Sequence, residues 1–316
     1  MNDHLNKYII YIFFILVFIA VVILIQSRVN FFASTTSPIE FTEISFSTQY
    51  LPTIDTGHYA LWGINQKNEK IFLKRFNYIN NTLVNLNTTP LESIKLDGNF
   101  IFDSYEITVE KIGDLDEEQS KCILLSGKNV NNTIEFTPAP FSIKNLSGSF
   151  ILASITDKTE STNEKSGIWF TNNFREETTT STLNLSILPD CWIWAAYINY
   201  KNEYLRIGRF SNTNSADDFK DYSFATNVEI KVPGEDFLTN LPNSVSSPIN
   251  LAQSGNKVII AIEPASDSMR LKLKYEPFWP VLEYDFNGTE KERTDIKLVQ
   301  VSQPQIQLIV RFIVHS

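Results

Sequence analysis

Acidic side chains make up the closest groups of potentially reactive residues in this chain. Asp217, Asp218 and Asp221 lie within five positions, and Glu235 and Asp236 are adjacent to each other. Carboxylate oxygens gathered in a loop are the ligands that Ca²⁺ prefers in proteins outside the cell. The alternating acidic spacing of a known calcium-binding loop is missing here, so the sequence favours a solvated acidic loop over a calcium site.

The other residue types that perform catalysis are scarce or isolated. The three histidines are His4, His58 and His315, and no two of them have the spacing of metal ligands. The sequence contains no Gly-x-Ser-x-Gly, His-Glu-x-x-His, phosphate-binding or dinucleotide-binding motif. We therefore predict a non-enzyme without a catalytic residue, a metal ion or a cofactor.

Two cysteines, Cys122 and Cys191, are present. A disulfide between them would require a location outside the cytoplasm and a suitable distance, which the sequence does not give. The sequence favours two small buried residues over a disulfide.

Tryptophan is the residue type that could bind a sugar by stacking. Trp192, Trp194 and Trp279 are the candidates for an exposed glycan platform. All three lie in predicted strands or at their ends, where β-sandwich cores commonly bury such rings. Core packing is therefore the favoured interpretation, and glycan stacking is the alternative.

Composition limits the class of protein. The chain has 316 residues, is 43% hydrophobic and 13% aromatic, and carries a net charge of −9. This apolar content is that of a folded chain, and its Ile, Phe, Tyr and Thr favour strands. A negative surface without a basic, aromatic-interleaved patch excludes nucleic acid as a partner.

An uninterrupted apolar run lies near the N-terminus. Residues 8–25 read YIIYIFFILVFIAVVILI, without a charge, an amide or a glycine. Such a run forms a helix about 27 Å long, which is close to the hydrocarbon thickness of a bilayer. No small-x-small cleavage site follows, so we predict an uncleaved transmembrane anchor over residues 8–26 that binds the lipid bilayer.

The anchor sets the expected topology. Residues 1–7 form a short cytoplasmic N-terminus, and residues 27–40 form a spacer after the membrane. The basic residues that flank the anchor, Lys7 and Arg28, give little orientation bias. We expect a single-pass protein of the cell membrane with most of the chain outside the cytoplasm.

One segment of the sequence occurs twice. HYALWGINQKNEKIFLKRF at residues 58–76 aligns without gaps to WIWAAYINYKNEYLRIGRF at residues 192–210, with seven identical positions among nineteen. Each copy has an apolar run, a polar stretch around Lys-Asn-Glu and a second apolar run, which is the pattern of a β-hairpin. Asn68 and Asn202 are expected at the turns because asparagine tolerates positive φ.

The repeat predicts the domain organisation. FILASI at residues 150–155 and VIIAI at residues 258–262 form a second echo, so we predict two tandem, antiparallel, Ig-like β-sandwiches. Short helices are considered only at residues 115–125 and 233–241. The predicted segments are domain one over 41–175, a hinge over 176–181, domain two over 182–286 and a C-terminal tail over 287–316.

The repeated motif resembles the extracytoplasmic C-terminal domain of anti-sigma-K factors. Tyr59 and Trp62 match its aromatic strand, Gly208–Phe210 matches the end of its hairpin, and residues 259–268, IIAIEPASDS, match a later strand. Domain one departs from that pattern because Thr156-Asp157 replaces the Glu-Pro pair. The resemblance implies a membrane-tethered β-sandwich. It does not imply the regulatory activity, because seven residues before the anchor cannot form a sigma-binding domain.

The tail contains a strand that needs a partner. Ile306, Leu308, Val310, Phe312 and Val314 alternate along QIQLIVRFIV and define one apolar face. An unpaired strand of this kind promotes aggregation. We expect it to pair with the edge of domain two in its own chain, or with a neighbouring subunit as a strand-addition linker.

These observations predict a non-catalytic structural or interaction protein of the cell envelope or surface, which self-associates through its C-terminal strand or binds another envelope protein. The alternative is an extracytoplasmic sensing or ligand-binding subunit that acts with a separate membrane signalling or transport partner.

Overall fold

The computed structural model describes Ile19 and residues 39–315, except for residues 50, 55–56, 98–99, 101, 139–141, 158–163, 174–178, 225–229, 267–275 and 302–304. This part of the chain is all-β and built from antiparallel strand pairs, as predicted. No helix within it is long and apolar enough to cross a bilayer. The predicted anchor, residues 8–26, lies outside the described residues except for Ile19, which is helical.

The first sheet contains nine strands, eight from the N-terminal half of the chain and one from the C-terminus. These strands are β1 (Ile39–Gln49), β2 (His58–Ile64), β3 (Lys70–Ile79), β4 (Thr82–Val84), β5 (Ser93–Asp97), β6 (Ser104–Glu110), β7 (Ile123–Val130), β8 (Thr133–Pro138) and β18 (Gln305–His315). Their order across the sheet is β4-β3-β2-β6-β7-β8-β18-β1-β5.

The remaining strands form two smaller sheets. One sheet has the order β13-β10-β9-β16 and the other has the order β12-β11-β14-β15-β17. Their bounds are β9 (Ser149–Leu152), β10 (Gly167–Trp169), β11 (Trp192–Tyr200), β12 (Glu203–Phe210), β13 (Gly234–Asp236), β14 (Lys257–Pro264), β15 (Trp279–Asp285), β16 (Ile296–Lys297) and β17 (Val299–Gln300); a single 3₁₀ turn covers Glu164–Ser166.

The sequence repeat corresponds to a repeated four-strand unit. β3-β2-β6-β7 in the first sheet has the same order and chain direction as β12-β11-β14-β15 in the third. In both units the pairing register shifts once within the hairpin, between β2 and β3 or β11 and β12. It shifts again between β6 and β7 in the first unit and between β14 and β15 in the second. The structural counterpart of β14 is therefore β6. The FILASI segment, which the sequence echo matched to it, forms β9 in a different sheet.

Both predicted hairpins are present, but their turns differ. In the second copy Lys201 and Asn202 alone connect the strands, both with positive φ, as a type I′ turn requires. In the first copy the pairing stops at Ile64 and Lys70, and Asn68 alone has positive φ. Beyond that pair the backbone N–H of Asn65 donates to the carbonyl of Glu69 at 3.2 Å, which leaves a three-residue loop of residues 66–68 with its last residue in the left-handed region.

The distribution of strands corrects several expected segment bounds. β9 and β10, expected in domain one, pair with β16 and β13, so they belong to the C-terminal sheets. The sheets contain nine, four and five strands, which differs from two equal sandwiches. Neither short helix candidate is helical, since residues 115–122 form irregular structure before β7 begins at Ile123, and residues 233–241 contain β13. In the second segment, pairing of β13 with β10 takes the place of the helix.

The C-terminal strand pairs within its own chain, but not with domain two as expected. All of β18 pairs with β1, placing Ile306 opposite Thr48 and Val310 opposite Ile44. On its other side β18 pairs with β8 over residues 306–309. The chain therefore returns to its first sheet, where β18 lies between two strands. The same registers place Leu308, Phe312 and Val314 opposite Phe46, Thr42 and Glu40.

A disulfide joins Cys122 to Cys191, with Cα atoms 5.2 Å apart. The sequence-based preference for two unpaired cysteines is therefore wrong. The nearby Trp192 indole N–H donates to the carbonyl of Ile123 at 3.1 Å. A covalent bond and a hydrogen bond thus connect the starts of β7 and β11, which lie in the first and third sheets.

Candidate ligand-binding cavity

A cavity of about 460 Å³ lies beside β10 and β13, bounded by the loop that follows β12. Its apolar walls are formed by Trp169, Phe219, Phe224, Ile230 and Val232. Its polar lining includes Thr156, Asp217, Ser223, Glu235 and Asn240. A concave site with apolar walls and a few convergent polar groups has the composition of a small-molecule site.

Asp217 anchors the loop after β12. Its carboxylate oxygens accept hydrogen bonds from the backbone N–H groups of Phe219, at 2.9 Å, and Gly234, at 2.8 Å. This side chain passes so close to β12 that a Cβ atom at position 208 would overlap its carboxyl group, so Gly208 is required there. Gly208 thus leaves room for the Asp217 side chain, which forms part of the cavity wall.

Asp236 holds the neighbouring strands together. One of its oxygens accepts from the backbone N–H of Ile155 at 2.8 Å and from both the backbone N–H and the hydroxyl of Thr156. The other accepts from the Trp169 indole N–H at 2.7 Å. Burial raises the pKa of Asp236, and these hydrogen bonds oppose that shift. Because its carboxylate accepts four hydrogen bonds, Asp236 has a structural role and orients the Trp169 ring.

Glu235 is the most strongly perturbed acid of the cavity. Its side chain is 1% exposed, and one oxygen accepts from the backbone N–H of Tyr222 at 3.1 Å. Burial raises its pKa to about 9, and the nearby carboxylates of Asp217 and Asp236 add to that shift. Hydrogen bonds from Ser223 oppose it. Glu235 is therefore protonated and neutral at pH 7.

Asp217 titrates close to neutrality. Burial raises its pKa to about 7, with repulsion from Asp218 adding to the shift, while its backbone hydrogen bonds act in the opposite direction. Asp217 and Glu235 together can therefore hold one or two protons near pH 7, or release them to solvent when a cation binds beside them. Buried carboxyls with perturbed pKa values are common at functional sites.

Two arginine side chains near the cavity are engaged elsewhere. The Arg206 guanidinium donates to both oxygens of Asp218 at 2.8 Å. The Arg209 guanidinium donates to the carbonyl of Ala265 at 2.7 Å and lies 4.0 Å from the carboxylate of Glu263. This network joins β12, β14 and the loop after β12. It leaves Asp217 and Glu235 without an ion pair among the described residues.

A more open groove of about 520 Å³ lies on the first sheet. Charged side chains of both signs line it, among them Lys70, Lys121, Glu117 and Glu118. It lacks the aromatic walls of the cavity beside β13, since Trp62 is its one aromatic lining residue. The cavity beside β13 is therefore the stronger candidate site.

The residues proposed from the sequence for glycan stacking are in the core. Trp192, Trp194 and Trp279 are 3%, 1% and 2% exposed. The Trp194 indole N–H donates to the carbonyl of Ser186, and the Trp192 ring stacks on Phe278. These rings present no open face to a sugar. They pack in the core, which was the favoured interpretation.

The predicted solvated acidic loop is wrong for three of its five members. Glu235 and Asp236 are buried, and Asp217 lines the cavity, whereas Asp218 and Asp221 are exposed. No local signal indicated the burial of Glu235 and Asp236, because Pro233-Gly234 directly before them is typical of a turn. The contribution of Trp169 and Thr156 had no local signal, because they lie 67 and 80 residues from Asp236.

Metal binding is not supported by the geometry. No group of three or more His, Cys, Asp or Glu side chains in the described part of the chain is placed to hold a metal ion. Asp217 and Glu235 converge on the cavity with Asp236 already saturated by its four donors.

Comparison with protein-family models, curated proteins and solved structures finds no match to this chain.

Proposed function

We propose that this chain is a membrane-anchored, extracytoplasmic ligand-binding protein that acts without catalysis, together with a separate membrane signalling or transport partner. The observation that carries the proposal is the cavity beside β13, with its aromatic walls and its two perturbed carboxyl groups. Concave sites of this size and lining bind small molecules.

Two further features support the proposed location. The Cys122–Cys191 disulfide is the kind of bond that persists in oxidising compartments outside the cytoplasm. The apolar run over residues 8–25 has the length and composition of a membrane anchor. The motif shared with extracytoplasmic domains of anti-sigma-K factors agrees with both features.

The assembly role expected for the C-terminal strand has less support. β18 already lies between β1 and β8 of its own chain. Strand exchange between subunits would require these pairs to separate first. We therefore favour ligand binding over structural assembly.

A thermal-shift experiment on the full-length chain in detergent tests the proposal. The panel contains amines, amino acids, hexoses and nucleosides at millimolar concentration. We expect one class to raise the melting temperature, because a ligand that binds only the folded state stabilises it. The increase should be lost in Ala216→Phe, which fills the cavity wall, and kept in Ser211→Phe, which adds the same ring at an exposed position. No increase with any class in the unmodified chain would contradict the proposal.

A further inference from the structure

The cavity combines two kinds of surface that recognise different parts of one ligand. Aromatic rings of Trp169, Phe219 and Phe224 line it, and Phe224 remains 47% exposed at its rim. The carboxyl groups of Asp217 and Glu235 also face it. An apolar body fits against the rings, and a polar head group fits against the acids.

The charge of that head group follows from the surrounding ions. Arg206 is occupied by Asp218, and Arg209 by Glu263 and backbone carbonyls, so neither neutralises the cavity acids. Lys220 lines the rim with an exposed side chain, as does Asp221. The interior therefore lacks a compensating positive charge among the described residues. Once Asp217 is ionised, an anionic ligand would be repelled there, and a cation would be attracted.

The form of the cation follows from the geometry. A metal ion needs several converging ligands, and the described residues offer no such group. An ammonium group needs fewer contacts, since it can donate to one or two carboxylates while aromatic rings face the rest of the cation. We propose that the cavity binds a small organic cation, an ammonium group carried on an apolar or aromatic body. This inference rests on the proposed ligand-binding function.

Binding should be coupled to proton release. A cation beside Asp217 and Glu235 favours their ionised forms and so lowers both pKa values, which are raised in the free protein. The other charges around the pair are Asp236, Asp218 and, at the rim, Lys220 and Asp221. Cation affinity should consequently rise between pH 6 and pH 9, as the acids lose their protons.

Isothermal titration calorimetry on the full-length chain in detergent tests the inference. The cationic probes are phenethylammonium and choline; phenethyl alcohol is the neutral analogue, phenylacetate the anionic one, and glucose the sugar. We expect at least one cation to bind at least tenfold more tightly than phenethyl alcohol at pH 8. The apparent heat should change with the ionisation enthalpy of the buffer, because protons are released.

Variants identify the site. Asp217→Asn and Glu235→Gln should each weaken cation binding about tenfold, whereas Asp190→Asn, which removes an exposed carboxyl elsewhere, should leave it unchanged. Melting curves confirm that each variant is folded. Equal binding of the alcohol and the cations, or binding of glucose alone, overturns the cation inference but retains the ligand-binding function. Failure of every probe here and of the whole thermal-shift panel overturns both.

Discussion

Glu235 shows how burial sets the chemistry of a single carboxyl group. In the unfolded chain it titrates near pH 4.3, like an ordinary glutamate. In the folded protein its pKa is about 9, because 1% exposure leaves its charged form poorly solvated. Between these two values the folded state holds a proton that the unfolded state does not. Raising the pH through this range therefore destabilises the folded protein.

This difference predicts the pH dependence of stability. Glu235→Gln keeps the shape of the side chain and removes its ionisation, so it should be more stable than the unmodified chain at pH 8, by about 5 kcal/mol, and similar to it at pH 4. Urea unfolding at both pH values measures the difference. Glu117→Gln, which removes an exposed carboxyl, is the control. The same difference in free energy of unfolding between Glu235→Gln and the unmodified chain at pH 4 and pH 8 would contradict the assigned pKa.

At the scale of the elements, the two hairpins show that one turn sequence can form two turns. Lys-Asn-Glu occurs in both copies, yet β2 and β3 are joined by a longer loop than β11 and β12. In the second copy Asn256 accepts a hydrogen bond from the backbone N–H of Lys201 at 3.1 Å. This tertiary contact supports the tighter turn.

The positive φ of Asn68 leads to a testable substitution. Its φ of 62° is one that a β-branched residue adopts only with strain. Asn68→Val should therefore lower the free energy of unfolding by about 1–2 kcal/mol, while Asn68→Gly should leave it nearly unchanged. Lys67→Val is the matched control, because Lys67 is exposed in the same turn without a positive φ. Equal effects of the two valine substitutions in denaturant unfolding would refute the turn assignment.

Local patterns predicted the strands better than their partners. Alternating apolar residues and asparagine turns were enough to predict both hairpins and the all-β class. The pairing of β18 with β1 joins residues more than 250 positions apart, and no local pattern encodes such a choice. The cavity is likewise formed by residues that are distant in the sequence. Asp217 and Glu235 look like ordinary surface acids in the sequence, and only the folded chain brings them into one cavity lining with Thr156 and Trp169.

At the scale of the whole molecule, the Cys122–Cys191 disulfide and β18 connect parts of the chain that the repeat separates. The disulfide links the first and third sheets, and β18 brings the C-terminus back to β1 near the start of the described chain. The cavity lies in the C-terminal sheets, so the positions of Asp217 and Glu235 depend on contacts between residues that are distant in the sequence.

Removal of the disulfide tests this connection. Its cysteines are 69 residues apart, and closing a loop of that length stabilises the folded state by about 4 kcal/mol in the chain-entropy estimate. The Cys122→Ser, Cys191→Ser double variant should lose about that much stability in urea unfolding. Ser120→Ala with Asp190→Asn changes neighbouring residues without cutting the bond. A double cysteine variant as stable as the unmodified chain would show that the link contributes nothing.

Whether the cavity beside β13 binds a small organic molecule can be measured by native mass spectrometry of the full-length chain. The spectrum is recorded with the ligand panel added, for the unmodified chain and for Ala216→Phe. We expect a one-to-one complex with a single class of small molecule in the unmodified chain, and only the bare mass in Ala216→Phe. The bare mass in both proteins, or the same complex in both, would contradict this expectation.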